Sequence, residues 1–366
     1  MCSLDVQYRS SNFFRGLRYS LCWFLWFLHL TTASQIKPAD KPIFISLGAY
    51  YGSFRVHTDK LSAFKGVTPR GVEVEFSRWI LTEQARQSFG IFPKWGVGLN
   101  YVDFGHADLG YSINGVAYVE PFLKAHGNLR LSGKLGTGFA YLNRPYQAQS
   151  NPLNRTYSTN FSFPLVGGIS AYYFFTNSWA LKANASFRHI SNGGIKKPNL
   201  GINYTVIGLA IEHTSNTYVM PKASKLNPYE KNKRSEILMG YSWKKDTVND
   251  HKKNVAMLCF NRSFRGGRIN AFTLSAMMEY QQNPGTRIAI DQWSIAPLIG
   301  NEFLIGDVRF GQQLGVYLLQ GATATNNVFQ HYYLRYLLRN KFTAGTNLKV
   351  HGRVADYLAF QVGIIL

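Results

Sequence analysis

From Trp179 to Arg188 the chain alternates without a break. Trp179, Leu181, Ala183, Ala185 and Phe187 interleave with Lys182, Asn184, Ser186 and Arg188. A period of two means an extended strand with one apolar and one polar face. The same pattern recurs before residue 215, so eight strands are expected near 43–55, 70–80, 92–104, 112–122, 127–143, 161–175, 178–190 and 202–214. Val72, Val74 and Phe76 oppose Glu73, Glu75 and Ser77, and Leu129, Leu131 and Leu135 oppose Arg130, Ser132 and Lys134. Two architectures accept such strands, a soluble β-sandwich or a membrane barrel. With 15% aromatic, 16% charged and 33 Gly in 366 residues, and no spanning apolar helix after the N-terminal region, the chain reads as a membrane barrel. Glu73, Glu75 and Arg130 are costly against lipid, so their face is the lumen. The glycines on that face suit a narrow, side-chain-filled barrel. The expected fold is therefore all-β, an antiparallel transmembrane β-barrel.

Four segments are expected. Residues 1–34 have a basic start (Arg9, Arg15, Arg18), an apolar core over 20–30 and small residues at Thr32-Ala33-Ser34, the pattern of a cleaved secretory signal peptide. Residues 35–216 form the eight-stranded unit. Residues 217–233, polar, basic and Pro-containing, are a linker. Alternation resumes over 234–366, with strands near 235–245, 252–262, 268–281, 290–298, 305–320, 329–338, 342–352 and 355–366. This half reads as a degenerate repeat of the first. It is either a second barrel or the continuation of one larger barrel. The linker is long for a periplasmic turn, which favours two units.

Cysteine and charge narrow the partners. Cys2 and Cys22 leave with the signal, so Cys259 remains alone, without a disulfide partner or metal-ligand spacing. The net charge of +21 suits a polyanion. Export argues against nucleic acid, and the charges are dispersed through strands and loops. Lipopolysaccharide, with phosphates at a membrane surface, remains. No cofactor or metal is implied.

The chemistry concentrates at one hairpin end. His189 and Ser191 continue the apolar face of the seventh strand, and Asn203 heads the same face of the next. Residues i and i+2 lie roughly 6.5–7 Å apart on a strand. Leaning side chains can then pair a general base with a nucleophile. The loop between holds three Gly, one Pro and two Asn. Backbone N–H groups at Gly193 and Gly194, with the Asn199 amide, are candidate oxyanion donors. With a periplasmic N-terminus the seventh strand ends at the cell surface. Its outward tip then meets lipid, so a lipid lying beside the barrel is the natural substrate.

Phe187, His189, Ser191, Asn192, Gly193, Pro198, Asn199 and Gly201, in this order and spacing, resemble the active-site segment of the PagL-type lipid A 3-O-deacylases, over about residues 43–214. The resemblance implies an outer-membrane enzyme of a Gram-negative bacterium that hydrolyses a 3-O-linked acyl ester of lipid A. Ser191 would be the nucleophile and His189 the base. Asn199 and the backbone at Gly193 and Gly194 would hold the oxyanion. The family carries Glu where this chain has Asn203, so the third member of the catalytic set is an amide here. Glu212 falls on the opposite face. Asp103, Asp108 and Glu120 are substitutes that nothing in the sequence selects. The alternative is a non-enzymatic outer-membrane barrel, a porin or structural protein retaining the motif. Oligomeric state is left open.

Overall fold

The computed structural model describes residues 41–216, 218–222, 224–245, 252–282, 289–321, 326–352 and 354–366. The expected signal segment, 1–34, lies outside the described residues. The first eight strands are β1 (Ile43–Phe54), β2 (Arg70–Trp79), β3 (Pro93–Asp103), β4 (Tyr111–Lys124), β5 (Leu129–Leu142), β6 (Phe161–Phe174), β7 (Trp179–Ser191) and β8 (Ile202–His213). The second eight are β9 (Lys233–Lys245), β10 (Lys252–Arg265), β11 (Asn270–Gln281), β12 (Trp293–Ile305), β13 (Val308–Val316), β14 (Val328–Leu338), β15 (Phe342–His351) and β16 (Val354–Ile365). A short helix α1 (Glu83–Phe89), capped by Thr82, joins β2 to β3.

Pairing resolves the open choice between one barrel and two. β1 closes onto β8, from Ile45↔His213 to Phe54↔Tyr204, and β16 closes onto β9. Each half is a closed antiparallel barrel of eight strands. Closure removes every sheet edge, which a strand in lipid cannot leave unpaired. Two expected strands differ. The segment drawn at 305–320 is shortened to Val308–Val316, and the one drawn at 290–298 runs from Trp293 to Ile305. Gly300-Asn301-Glu302 resembles a turn, yet Glu302 points into the lumen, fully buried. The true turn is Gly306-Asp307, with Gly306 at positive φ.

The apolar faces point outward. Leu47, Leu99, Leu135, Ile169, Ile207 and Leu209 are all exposed on the first barrel, as are Met239, Ile299, Phe360 and Val362 on the second. The polar faces fill the lumens. In the first, Glu75 pairs with both Lys134 and Lys182, the latter at 2.8 Å. Arg188 pairs with Glu73 at 3.0 Å and Lys94 with Glu212 at 2.5 Å. In the second, Glu279 holds Lys349 at 2.7 Å, Glu302 holds Arg234 at 3.0 Å, and Glu236 holds Arg335. Cys259 is buried in this second lumen. Buried charges persist only when paired, so each ion pair ties strands across the barrel.

Apolar clusters close both ends of the first lumen. Tyr50, Phe54, Phe64, Phe104, Tyr157, Ile190 and Tyr204 pack at the end where β7 finishes. Phe44, Trp79, Phe122, Tyr172 and Phe174 pack at the other, where Trp79 stacks on Phe122 at 4.2 Å. The expected linker contributes there. Tyr218 joins the second cluster, and its hydroxyl accepts from Arg130 Nη1 at 3.3 Å.

The two barrels touch at both ends. At the end bearing α1, Arg268 Nη1 donates to Gln87 O at 2.5 Å, and Asn227 N–H of the linker donates to Gln87 Oε1 at 2.8 Å. At the other end Gly193 and Gly194 lie against β16. A Cβ on Gly193 would sit 2.8 Å from Leu358 Cβ, and one on Gly194 would sit 2.8 Å from Asp356 O. Side chains are therefore excluded at both positions by the second barrel as well as by positive φ.

Removing one partner of a buried ion pair leaves the other charge unpaired. Glu75→Ala is expected to destabilise the first barrel by about 3 kcal/mol, measured by urea unfolding of the purified protein in detergent micelles. Unchanged stability would mean that Lys134 and Lys182 find other partners.

Candidate functional site

The site is built on the β7–β8 register. His189 lies directly opposite Asn203. Arg188, between them and the lumen, is held inward by Glu73, and Ile190 is packed into the apolar cap. These two inward anchors turn His189 and Ser191 to the outer face, because neighbours on a strand point to opposite sides. Both are half-buried, in line with the exposed Phe187 and Leu181 below them.

His189 Nδ1 and Asn203 Oδ1 are 2.5 Å apart. An amide oxygen only accepts, so Nδ1 carries the proton and donates. The Nε2 lone pair is then left to act as a base. Among the described residues Ser191 Oγ makes no hydrogen bond. It shares the face of His189 two residues along the strand, and catalytic hydrogen bonds commonly tighten only with substrate bound. Gly201 makes room for the ring: it has φ +80, and a Cβ there would fall 2.5 Å from His189 Cε1.

The loop between the strands is locked by its own amides. Asn192 is fully buried. Its N–H donates to Asn199 Oδ1 at 3.0 Å, and its Nδ2 donates to Lys196 O at 2.8 Å. Loop 143–160 packs over it: Ser158 Oγ donates to Lys196 O at 2.8 Å, and Gly201 N–H donates to Thr156 O at 2.8 Å.

This locking revises the expected donor set. Gly194 N–H is already donated to Asn192 Oδ1 at 3.0 Å, so Gly194 is not available to an oxyanion. The sequence shows two adjacent glycines alike. Only the buried Asn192 side chain distinguishes them. Gly193 N–H and the Asn199 amide nitrogen have no hydrogen-bond partner among the described residues and stay in the set.

The candidate acids are elsewhere. Glu212 is in the lumen with Lys94, as expected from its parity. Asp103 faces Arg70 at 3.5 Å and Asp108 faces His106 at 3.7 Å. Glu120 accepts from Ser132 and Tyr172 inside the barrel. Among the described residues no acid contacts His189, and no group of His, Cys, Asp and Glu could hold a metal ion.

One neighbour escapes sequence reasoning. His57, which reads as an isolated loop histidine, touches Asn203: Asn203 Nδ2 is 3.0 Å from His57 Nδ1. The Arg55 N–H donates to Asn203 O at 2.7 Å, which extends the β1–β8 ladder by one rung and carries His57 alongside. The signal is its parity with Tyr51 and Ser53 on the outer face of β1. That signal has meaning only once β1 is known to close onto β8.

Two filled, closed, eight-stranded barrels with apolar exteriors define a membrane-type β-barrel protein. Residues 70–212 match the family model for lipid A 3-O-deacylase (PagL), and residues 233–365 match that for the acyloxyacyl hydrolase C-terminal domain. The first barrel thus carries the match to the lipid A 3-O-deacylase family, and the second the match to that C-terminal domain. Among solved structures, the outer membrane enzyme PagL is 15% identical, with a TM-score of 0.30 over 45% of this chain and 97% of that one. A mutant of the Rh. blastica porin is 10% identical, with a TM-score of 0.21 over 88% of this chain and 100% of that one. The TodX monoaromatic hydrocarbon channel is 10% identical, with a TM-score of 0.19 over 90% of each chain. No curated protein matches.

The contact between Gly201 and His189 has a direct consequence. Gly201→Ala should displace the imidazole and lower esterase activity at least 100-fold, roughly the penalty for misplacing a catalytic group by 1 Å. The barrel should still migrate as folded on unheated gel electrophoresis. Full activity in this variant would show that the ring position is not critical.

Proposed function

We propose that this protein is an outer-membrane esterase that removes a fatty-acyl chain, 3-O-linked in the family, from lipid A. The observation that carries the reading is the His189–Asn203 hydrogen bond, beside Ser191, on the outward face of a barrel that matches the deacylase family. Beyond the contact of β16 with Gly193 and Gly194, that face of a membrane barrel is open to lipid.

Ser191 Oγ attacks the ester carbonyl while His189 Nε2 takes its proton. Asn203 Oδ1 holds the opposite nitrogen of the ring. Gly193 N–H and the Asn199 amide receive the negative charge of the tetrahedral intermediate. His189 then returns the proton to the departing sugar hydroxyl, leaving the acyl group on Ser191. Water, deprotonated by the same nitrogen, releases the fatty acid and restores the serine.

The surroundings suit an anionic glycolipid. Lys196 and Lys197 are exposed in the site loop, and Arg55 is exposed on the same rim. Their charges would draw lipid A phosphates to the surface. The alternative, a transport barrel, finds no support in the lumens: Lys94, Lys182, Glu75, Glu279 and Lys349 are buried across them. We also read residues 35–216 and 234–366 as separate domains joined by the linker 217–233, with 1–34 as the signal for export.

Incubation of the purified protein with lipopolysaccharide, followed by lipid A mass spectrometry, tests the reading. Wild type should remove one hydroxyacyl mass. Ser191→Ala and His189→Ala should each reduce the rate to background, since losing either member of such a pair costs roughly 10⁶ in kcat. Lipid A left intact by wild type would contradict the proposal, and acyl loss that survives Ser191→Ala would move the nucleophile elsewhere.

A further inference from the structure

We infer that His57 is a positioning residue that fixes the orientation of the Asn203 amide and so lets an amide stand where the family has an acid. This rests on the reading of His189 as the base.

An amide beside a catalytic histidine has two orientations. With its oxygen toward Nδ1 it imposes the Nδ1–H tautomer and frees Nε2. With its NH₂ toward Nδ1 it imposes the other tautomer and abolishes the base. In serine-protease triads, exchange of the acid for its amide costs roughly 10⁴ in kcat for this reason. Something must therefore hold Asn203 the right way round.

The hydrogen-bond chain identifies what does. His57 Nε2 lies 3.0 Å from Leu200 O. A backbone carbonyl can only accept, so His57 Nε2 carries the proton. In the neutral ring Nδ1 is then an acceptor. It faces Asn203 at 3.0 Å and can take a hydrogen only from Nδ2. The Asn203 oxygen is thereby turned to His189 Nδ1 at 2.5 Å, where it accepts. Each step follows from the shorter of two backbone-carbonyl contacts of the His57 ring, 3.0 Å at Nε2 against 3.3 Å at Nδ1. The Arg55 carbonyl, 3.3 Å from His57 Nδ1, receives no hydrogen in this arrangement. The carbonyl itself is fixed: Leu200 N–H donates to Arg155 O at 3.1 Å, and Gly201 N–H to Thr156 O at 2.8 Å.

The inference separates an orienting role from simple packing. An aspartate at 203 has two acceptor oxygens and no wrong orientation, so it needs no orienting partner. His57→Phe should lower kcat about 100-fold with KM within about twofold, part of the penalty for the wrong tautomer. In the Asn203→Asp background the same His57→Phe change should cost less than about threefold, because either carboxylate oxygen can accept. Equal losses in both backgrounds would overturn the inference. A second readout does not depend on turnover. ¹⁵N NMR of histidine-labelled protein in micelles should show His189 as the Nδ1–H tautomer in the wild type and as a mixture in His57→Phe. An unchanged His189 tautomer would overturn the inference. If wild type fails to deacylate lipopolysaccharide while the tautomer still shifts, the substrate assignment fails and the orienting role of His57 stands.

Discussion

The register of β7 against β8 is the constraint on which the site depends. His189 faces Asn203 because the two strands pair there. A slip of one residue would send the imidazole into the lumen and Arg188 into lipid. The register is enforced from inside: Arg188 is bound to Glu73, Lys182 to Glu75, and Glu212 on β8 to Lys94. Placing a Lys or Arg on the outer face at mid-membrane costs about 2–4 kcal/mol, and a Glu less. The lumen network therefore does more than fill space. It holds His189 and Ser191 on the outward face.

Much of this was legible from the chain. Parity assigned each strand two faces, and the charges on one of them identified the lumen. All sixteen expected strands are present, and the His-x-Ser tip falls at the C-terminal end of β7. What was not legible depends on contacts far apart in sequence. Closure of β1 onto β8 joins residues about as distant as Ile45 and His213, and alternation alone cannot distinguish it from continuation into β9. The same closure brings His57 to Asn203. The spent donor at Gly194 reflects one buried side chain, Asn192, which looks like an ordinary turn residue. Glu302 hid the length of β12 because a charge beside glycine reads as a loop until a lumen is there to receive it.

The second barrel has a structural bearing on the site. Its β16 covers Gly193 and Gly194, and at the opposite end Arg268 grips α1. Two contacts at opposite ends fix one barrel beside the other with the β7–β8 loop at their junction. Both glycines are thus required twice, for their positive φ and for the approach of Leu358 and Asp356. The loop that presents Asn199 is held on one side by loop 143–160 and on the other by a separate domain. Preorganisation of this kind is what an oxyanion site needs, because donors already in position pay no reorganisation during the reaction.

Peptide mapping after treatment with an alkyl fluorophosphonate tests the central claim most directly. The reagent captures only a serine activated by a neighbouring base. Ser191 is expected to be the single phosphonylated residue, with labelling lost in His189→Ala. Modification of another serine, or none at all in folded protein, would contradict a Ser191–His189 esterase at the lipid-facing rim.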